Sequence, residues 1–115
     1  MAIKVSDYIE YGFSIDDANK LRPAVEKALN YDSLVSLDFT GVKIFTTLFF
    51  GQALTYLIDK LGADEYKKRI RVDNLSASGQ ATYDHALVYA EEYYAKSDEE
   101  RREHNISIAE TLDEL

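Results

Sequence analysis

Leu34-Val35-Ser36-Leu37-Asp38-Phe39 runs into Thr40-Gly41, then Val42-Lys43-Ile44-Phe45, then Thr46-Thr47-Leu48-Phe49-Phe50. The first six residues are mostly apolar and too few for a typical helix, so they read as a buried central strand. Thr40-Gly41 is a turn signal. Thr46 or Thr47 suits a helix N-cap, because a threonine hydroxyl accepts from a free first-turn amide. Phe50, Leu54, Leu57, Ile58 and Leu61 follow at i, i+4, i+7, i+8 and i+11, an apolar stripe of helical period. Gly62 is placed to end that helix.

The same grammar extends outward. Upstream, Ile3, Val5 and Ile9 read as a first strand or hairpin with one buried face, closed by Gly12. Ser14 precedes Ile15-Asp16-Asp17, close to a capping box. Ile15, Ala18, Leu21, Val25, Ala28 and Leu29 then give a helical stripe, which Pro23 is expected to kink or split. Asn30 to Ser33 form its exit. Downstream, Ala63 to Lys68 allow a short helical turn. Ile70 to Leu75 alternate as a half-exposed strand. Ser76, Ser78 and Gly79 read as a loop, and Tyr83, Leu87, Ala90 and Tyr94 as the stripe of a last helix ending near Lys96. Alternating strands and helices predict an α/β domain: one small mixed sheet packed against helices, over residues 1–96.

Residues 97–115 have a different composition. Seven carboxylates stand against Arg101 and Arg102, so this segment carries -5 of the formal -8 of the 115-residue chain. It reads first as a mobile, solubilising acidic tail. Ser97 with Glu100 is a possible cap for a short helix there, and docking on a partner or on the domain itself is a further reading. The body is nearly balanced in charge. Net acidity argues against nucleic acid and against an anionic membrane as partners. Lys67-Lys68-Arg69 with Arg71 is the one basic cluster, and Asp64, Glu65 and Asp73 surround it.

Several chemistries are disfavoured. With no cysteine, a thiolate metal site, a redox pair and a cysteine nucleophile are excluded, and a reducing cytoplasm is the expected compartment. The five glycines are scattered at 12, 41, 51, 62 and 79, so no phosphate loop exists and no cofactor is implied. His85 and His104 have no ligand-like spacing, and no serine has a nucleophile context, so neither a metal site nor an enzyme is expected. Met1 to Gly12 mixes Lys4, Asp7 and Glu10 into its apolar residues, unlike a signal peptide. The stretch from Val42 to Leu61 is interrupted by Lys43, Asp59 and Lys60, unlike a membrane span.

The stretch from Val35 to Phe50 resembles the core motif of STAS domains, the fold of anti-sigma-factor antagonists and sulfate-transporter tails. It is more similar to the small bacterial STAS-like proteins. In those, a strand ending in aspartate and phenylalanine leads through a glycine-valine turn to a threonine- or serine-rich helix start. Val72-Asp73-Asn74-Leu75-Ser76 also looks like the family's later strand and asparagine-bearing exit. Residues 34–62 carry the specific signal, and a looser likeness covers 3–95. The resemblance implies a non-enzymatic regulatory module in partner switching, bound by an ATPase-like anti-sigma kinase that phosphorylates a serine or threonine at the helix start. In register from Asp38, the acceptor position is Thr47. Thr46 stands where the antagonist motif has an aspartate, and Leu48 and Phe49 stand where it has a small residue and a glycine. The fold therefore transfers more readily than the phosphorylation.

The residues themselves give three candidate places. Thr46 and Thr47 are either caps or phosphoacceptors. Leu48, Phe49, Gln52 and Tyr56 lie opposite the core stripe and form either a partner-binding face, with a homodimer as a variant, or a surface covered by another element. Asp38 ends the central strand, where α/β sheets gather ligands. It marks a possible small-ligand or nucleotide crevice, or simply a turn residue. Tyr89 and Tyr93, four residues apart on the last helix, either cover a sheet edge or face a partner.

Overall fold

The computed structural model describes residues 1–95. Strand β1 spans Ala2–Lys4, followed by a 3-10 turn over Val5–Asp7 and a two-residue strand β2, Tyr11–Gly12. Helix α1 covers Ile15–Tyr31 and β3 covers Val35–Asp38. Then come β4 (Lys43–Phe45), α2 (Thr47–Phe50), a π-helical segment (Gly51–Thr55) and α3 (Leu57–Leu61). Helix α4 (Ala63–Arg69), β5 (Ile70–Asp73) and α5 (Ala77–Ala95) follow. The expected α/β architecture is present. The acidic segment 97–115, with its possible Ser97 cap and His104, lies outside the described residues.

The sheet differs from the expectation of one mixed sheet. Among the described residues, β1, β3 and β5 form a three-stranded sheet with β3 in the centre, and β2 and β4 form a separate pair. Every pairing is parallel. The connections explain this. β1 reaches β3 through α1, and β3 reaches β5 through α2 to α4, and such crossovers return the chain in the same direction. The first segment is no hairpin, because the 3-10 turn carries the chain away from β1. Tyr11 and Gly12 then pair with Lys43 and Phe45 instead, across a register shift. Ile3, Val5 and Ile9 are all buried as their alternation required.

Local signals explain the helices. The Ser14 hydroxyl accepts from the Asp17 amide at 3.1 Å, and Asp17 Oδ2 accepts from the Ser14 amide at 2.9 Å, completing the capping box. Burial pushes the Asp17 carboxyl up, but these bonds outweigh it and hold it below its ordinary range. Pro23 does not split α1, which runs continuously for 17 residues. One backbone donor is lost, but Ala18, Leu21, Val25 and Ala28 hold the buried face on both sides of it. At the other end, the Arg69 guanidinium donates to the carbonyls of Leu29 (2.7 Å), Asp32 (3.1 Å) and Ser33 (3.3 Å). These are free carbonyls at and just beyond the helix C-terminus, the groups a cation satisfies best. Lys67 pairs with Glu91 at 2.7 Å and Arg71 with Asp73 at 3.0 Å, so the basic cluster is largely engaged within the fold.

The last helix starts earlier than its sequence suggests. Ser78 and Gly79 belong to its first turn, and the Ser76 hydroxyl accepts from the Gly79 amide at 3.0 Å. Gly79 is there for space. A Cβ on it would lie 2.8 Å from Phe45 Cδ2, and one on Gly12 would lie 2.6 Å from Phe45 Cδ1. The Phe45 ring is therefore wedged between two glycines, and it stacks on Phe50 with centroids 5.5 Å apart. Phe50 in turn meets Phe39 and Tyr83 edge-on, which ties β3, β4, α2 and α5 into one aromatic core. The hydroxyls of buried Tyr66 and Tyr83 lie 2.9 Å apart, so α4 and α5 share a hydrogen bond inside that core. Burial, with Tyr83 beside it, raises the Tyr66 phenol well above its ordinary value, so this bond stays neutral.

Candidate functional site

Each candidate site residue has a definite place among the described residues. Asp38 ends β3, and its Oδ1 accepts from the Thr40 hydroxyl (2.6 Å), the Thr40 amide (3.0 Å) and Asn74 Nδ2 (2.9 Å). These bonds, the Thr40 hydroxyl first and then Asn74, hold the carboxyl down at about 2. Asn74 reaches it from the exit of β5, with a left-handed backbone (φ 62°) that asparagine tolerates. The cluster knits the ends of two neighbouring strands together. Asp38 thus has the bonding of a turn residue.

Thr46 is the N-cap of α2. Its hydroxyl accepts from the Phe49 amide at 3.1 Å and donates to the Phe13 carbonyl at 2.5 Å. That second bond ties the helix start to the strand end before α1. Thr47 is the first helical residue and is exposed. No hydrogen bond to another described residue engages its hydroxyl.

Phe49 corrects the expected binding face. It is fully buried, whereas Leu48 beside it is 50% exposed. Two causes combine. The segment from Thr47 to Leu61 packs against α1 on one side and α5 on the other, so its buried arc is far wider than a single stripe. Gly12 leaves the space into which the Phe49 ring fits, with a Cβ there only 3.2 Å from Phe49 Cδ1. The remaining members, Leu48, Gln52 and Tyr56, do share one surface with Thr47.

That surface is one wall of a groove of about 490 Å³. Thr47, Leu48, Gly51, Gln52, Thr55 and Tyr56 line one side. His85, Ala86, Tyr89, Ala90, Tyr93 and Tyr94 of α5 line the other. Among the described residues, no carboxylate, lysine or arginine belongs to the lining. The α5 wall was only half legible. Tyr89 and Tyr93 stood out as a pair, and their rings stack with centroids 6.0 Å apart. Ala86 and Ala90 are the small residues that leave the depression between them, a signal that appears once the facing helix is known. His85 is exposed on this wall, and its sequence spacing gave no hint of it.

The π-helical segment shapes the floor. Its wider i→i+5 register is uncommon and occurs often at functional sites. It leaves the Gln52 carbonyl to an outside donor, Arg22 Nε of α1 at 2.8 Å, while Arg22 also bonds the Gln52 side chain at 3.2 Å. Buried Thr55 donates its hydroxyl back to the Phe50 carbonyl at 3.4 Å. At the rim, Arg22 and Lys60 both stand over the Tyr56 ring, 5.2 and 5.7 Å from its centroid. The Tyr56 hydroxyl donates to Glu26. Partial burial and that carboxylate push the phenol well up, so it stays a donor.

A second, shallower hollow lies on the far side of Leu48, lined by Phe13, Ser14, Ile15, Asp16 and Thr46. Phe13 and Ile15 are exposed there. Nearby Ile44 is exposed as well and has φ 54°, a costly conformation for a β-branched residue. Leu48 therefore stands as a ridge between two apolar depressions. Among the described residues, no group of three or more histidines and carboxylates could hold a metal ion. No helix among them is long and apolar enough to cross a membrane.

Comparison with known proteins agrees with this architecture. The family described as STAS-like domain of unknown function (DUF4325) matches residues 17–80, from the first turn of α1 to the first turn of α5. No curated protein and no solved structure matches the chain. The match takes in the central strand, the Asp38 turn, the whole Thr47 wall of the groove and the Asn74 exit. This chain belongs to the STAS-like domain family.

Proposed function

We propose that this STAS-like domain is a regulatory protein-interaction module that docks a partner protein in the groove between α2 and α5. One observation carries the reading: Thr47, Leu48, Gln52 and Tyr56 converge on one tyrosine-rich groove, whose lining among the described residues is uncharged. Tyrosine and apolar side chains around a concavity are what protein interfaces concentrate at their centres. The partner best suited to the family resemblance is an ATPase-like anti-sigma kinase. Thr47, with its free hydroxyl at the groove's end, is then the acceptor. Thr46 is not, because its hydroxyl both caps α2 and bonds Phe13. A phosphate on Thr47 would add about -1.5 to -2 charge beside a lining that is uncharged among the described residues, and so change its affinity for the partner.

The test is calorimetric titration of the full chain with an ATPase-like kinase from the same cell. Leu48→Asp weakens binding by roughly tenfold or more, or about 1.4 kcal/mol, while Lys68→Asp on the far basic surface leaves it unchanged. Equal affinity for both variants contradicts the surface. With ATP present, mass spectrometry finds phosphate on Thr47 and not on Thr46, and a chain that stays unmodified contradicts the switch. A second reading rests on size. The groove falls within the roughly 300–1,000 Å³ of small-molecule sites, and a thermal-shift screen of nucleotides would expose such an occupant.

A further inference from the structure

We propose that the groove between α2 and α5 is also the docking site of this chain's own segment 97–115, which competes there with the partner. The inference rests on the reading of the groove as a protein-binding surface and adds its regulation.

Connectivity comes first. Tyr93 and Tyr94 are groove wall, and the described chain ends one residue later at Ala95. The segment is thus tethered at the lip of the groove. Its sequence supplies a complementary face. Ile108, Leu112 and Leu115 fall at i, i+4 and i+7, one stripe of a helix, with Glu110, Asp113 and Glu114 off it. From Ile108 to Leu115 such a helix is about 10 Å long, and the α5 wall from His85 to Tyr94 is about 14 Å. The residues between Ala95 and Ile108 span up to about 40 Å when extended, ample for a return along the wall.

Charge agrees with this. The segment carries -5, while the groove lining holds no carboxylate among the described residues to repel it. Lys60 and Arg22 stand at the rim on the Tyr56 ring, within reach of an acidic helix face. Two carboxylates beside the groove are already engaged: Glu91 pairs with Lys67, and Glu26 accepts from the Tyr56 hydroxyl. A segment tethered by about a dozen residues meets its site at an effective concentration on the order of millimolar, so even weak contacts suffice.

The chain has no cysteine, so one can be placed at will. A nitroxide on Glu110→Cys in the full chain, on the polar side of the stripe, reports proximity to every backbone amide by NMR. The expected result is that the amides of Thr47, Leu48, Gln52 and Tyr89 lose most of their intensity. Those of Thr40 and Asn74, at the strand ends, keep theirs. The loss persists on dilution, disappears on reduction of the label, and is abolished by adding Leu112→Asp. Intact groove amides overturn the proposal. So does a loss that fades on dilution, which would place a second copy in the groove, or one that survives Leu112→Asp. If the groove amides stay intact while Leu48→Asp still weakens the partner, this inference fails and the functional reading stands. If they are broadened but Leu48→Asp leaves partner binding unchanged, the segment docks in the groove, and both the functional reading and the competition with the partner fail.

Discussion

At the exit of β3, the Asp38 carboxylate accepts three hydrogen bonds and closes the ends of two strands. A few residues on, Thr47 presents its hydroxyl at the mouth of an open groove, beside a leucine that is half exposed. Both positions carry polar groups of functional type at places where α/β folds often keep their sites. They differ in whether the fold already occupies those groups. A donor or acceptor satisfied by its own chain gains little from a ligand, because binding must first break an existing bond. On the proposed reading the strand end serves the architecture, because Asp38 Oδ1 is already engaged by its own chain, and the groove is the surface a partner would use.

The largest expected effect separates the two walls of α2. Phe49→Ala removes a fully buried ring and costs about 3–5 kcal/mol of stability in denaturant unfolding. Leu48→Ala, one residue away, changes stability by no more than about 0.5 kcal/mol. Similar losses at both positions would mean that Leu48 is covered and the groove is not a free surface.

Next comes the glycine clamp that holds β4 under α5. Exchanging an ordinary helical glycine for alanine gains about 1 kcal/mol. Gly79→Ala instead destabilises by about 1–3 kcal/mol, because its methyl meets the Phe45 ring wedged against Gly12. A rise in thermal midpoint would show that Phe45 can move aside and that the α5 wall is less firmly set than described.

The two threonines give a smaller contrast. Thr46→Ala removes the cap of α2 and costs about 1 kcal/mol, while Thr47→Ala stays within about 0.5 kcal/mol. Equal losses in urea unfolding would assign Thr47 to structure.

Acid gives the smallest effect, at the strand end. The folded Asp38 carboxyl titrates at about 2, below its ordinary value of 3.8. A lowered folded value contributes stability that is fully present above the ordinary value. That contribution is lost as pH falls from about 4 through about 2. Asp38→Asn therefore flattens the decline of the thermal midpoint across that window. An unchanged slope would mean that other carboxylates govern the acid response.

Much of the fold was legible because its signals are local. The Leu34–Phe39 strand, the Ser14–Asp17 capping box and the Gly62 helix end each follow from a few neighbouring residues. What escaped depends on neighbours distant in sequence. The pairing of β2 with β4 rests on a glycine and a phenylalanine far apart in the chain. Helical periodicity marked Phe49 as outward because it assumes one neighbouring layer, and α1 and α5 provide two. Gly79 resembled loop punctuation although it serves close packing. The groove was half visible. Its α2 wall followed from the helical face opposite the apolar stripe, and its α5 wall depends on how Ala86 and Ala90 sit opposite it.

Site-specific photocrosslinking in cells tests the contrast between groove and strand end most directly. A photoreactive residue replaces Gln52 in one full-length chain and Thr40 in another. The account predicts a discrete adduct of one partner protein at position 52 that is lost when Leu48→Asp is added, and none at position 40. An adduct at position 40 with none at 52, or one at 52 indifferent to Leu48→Asp, would contradict it.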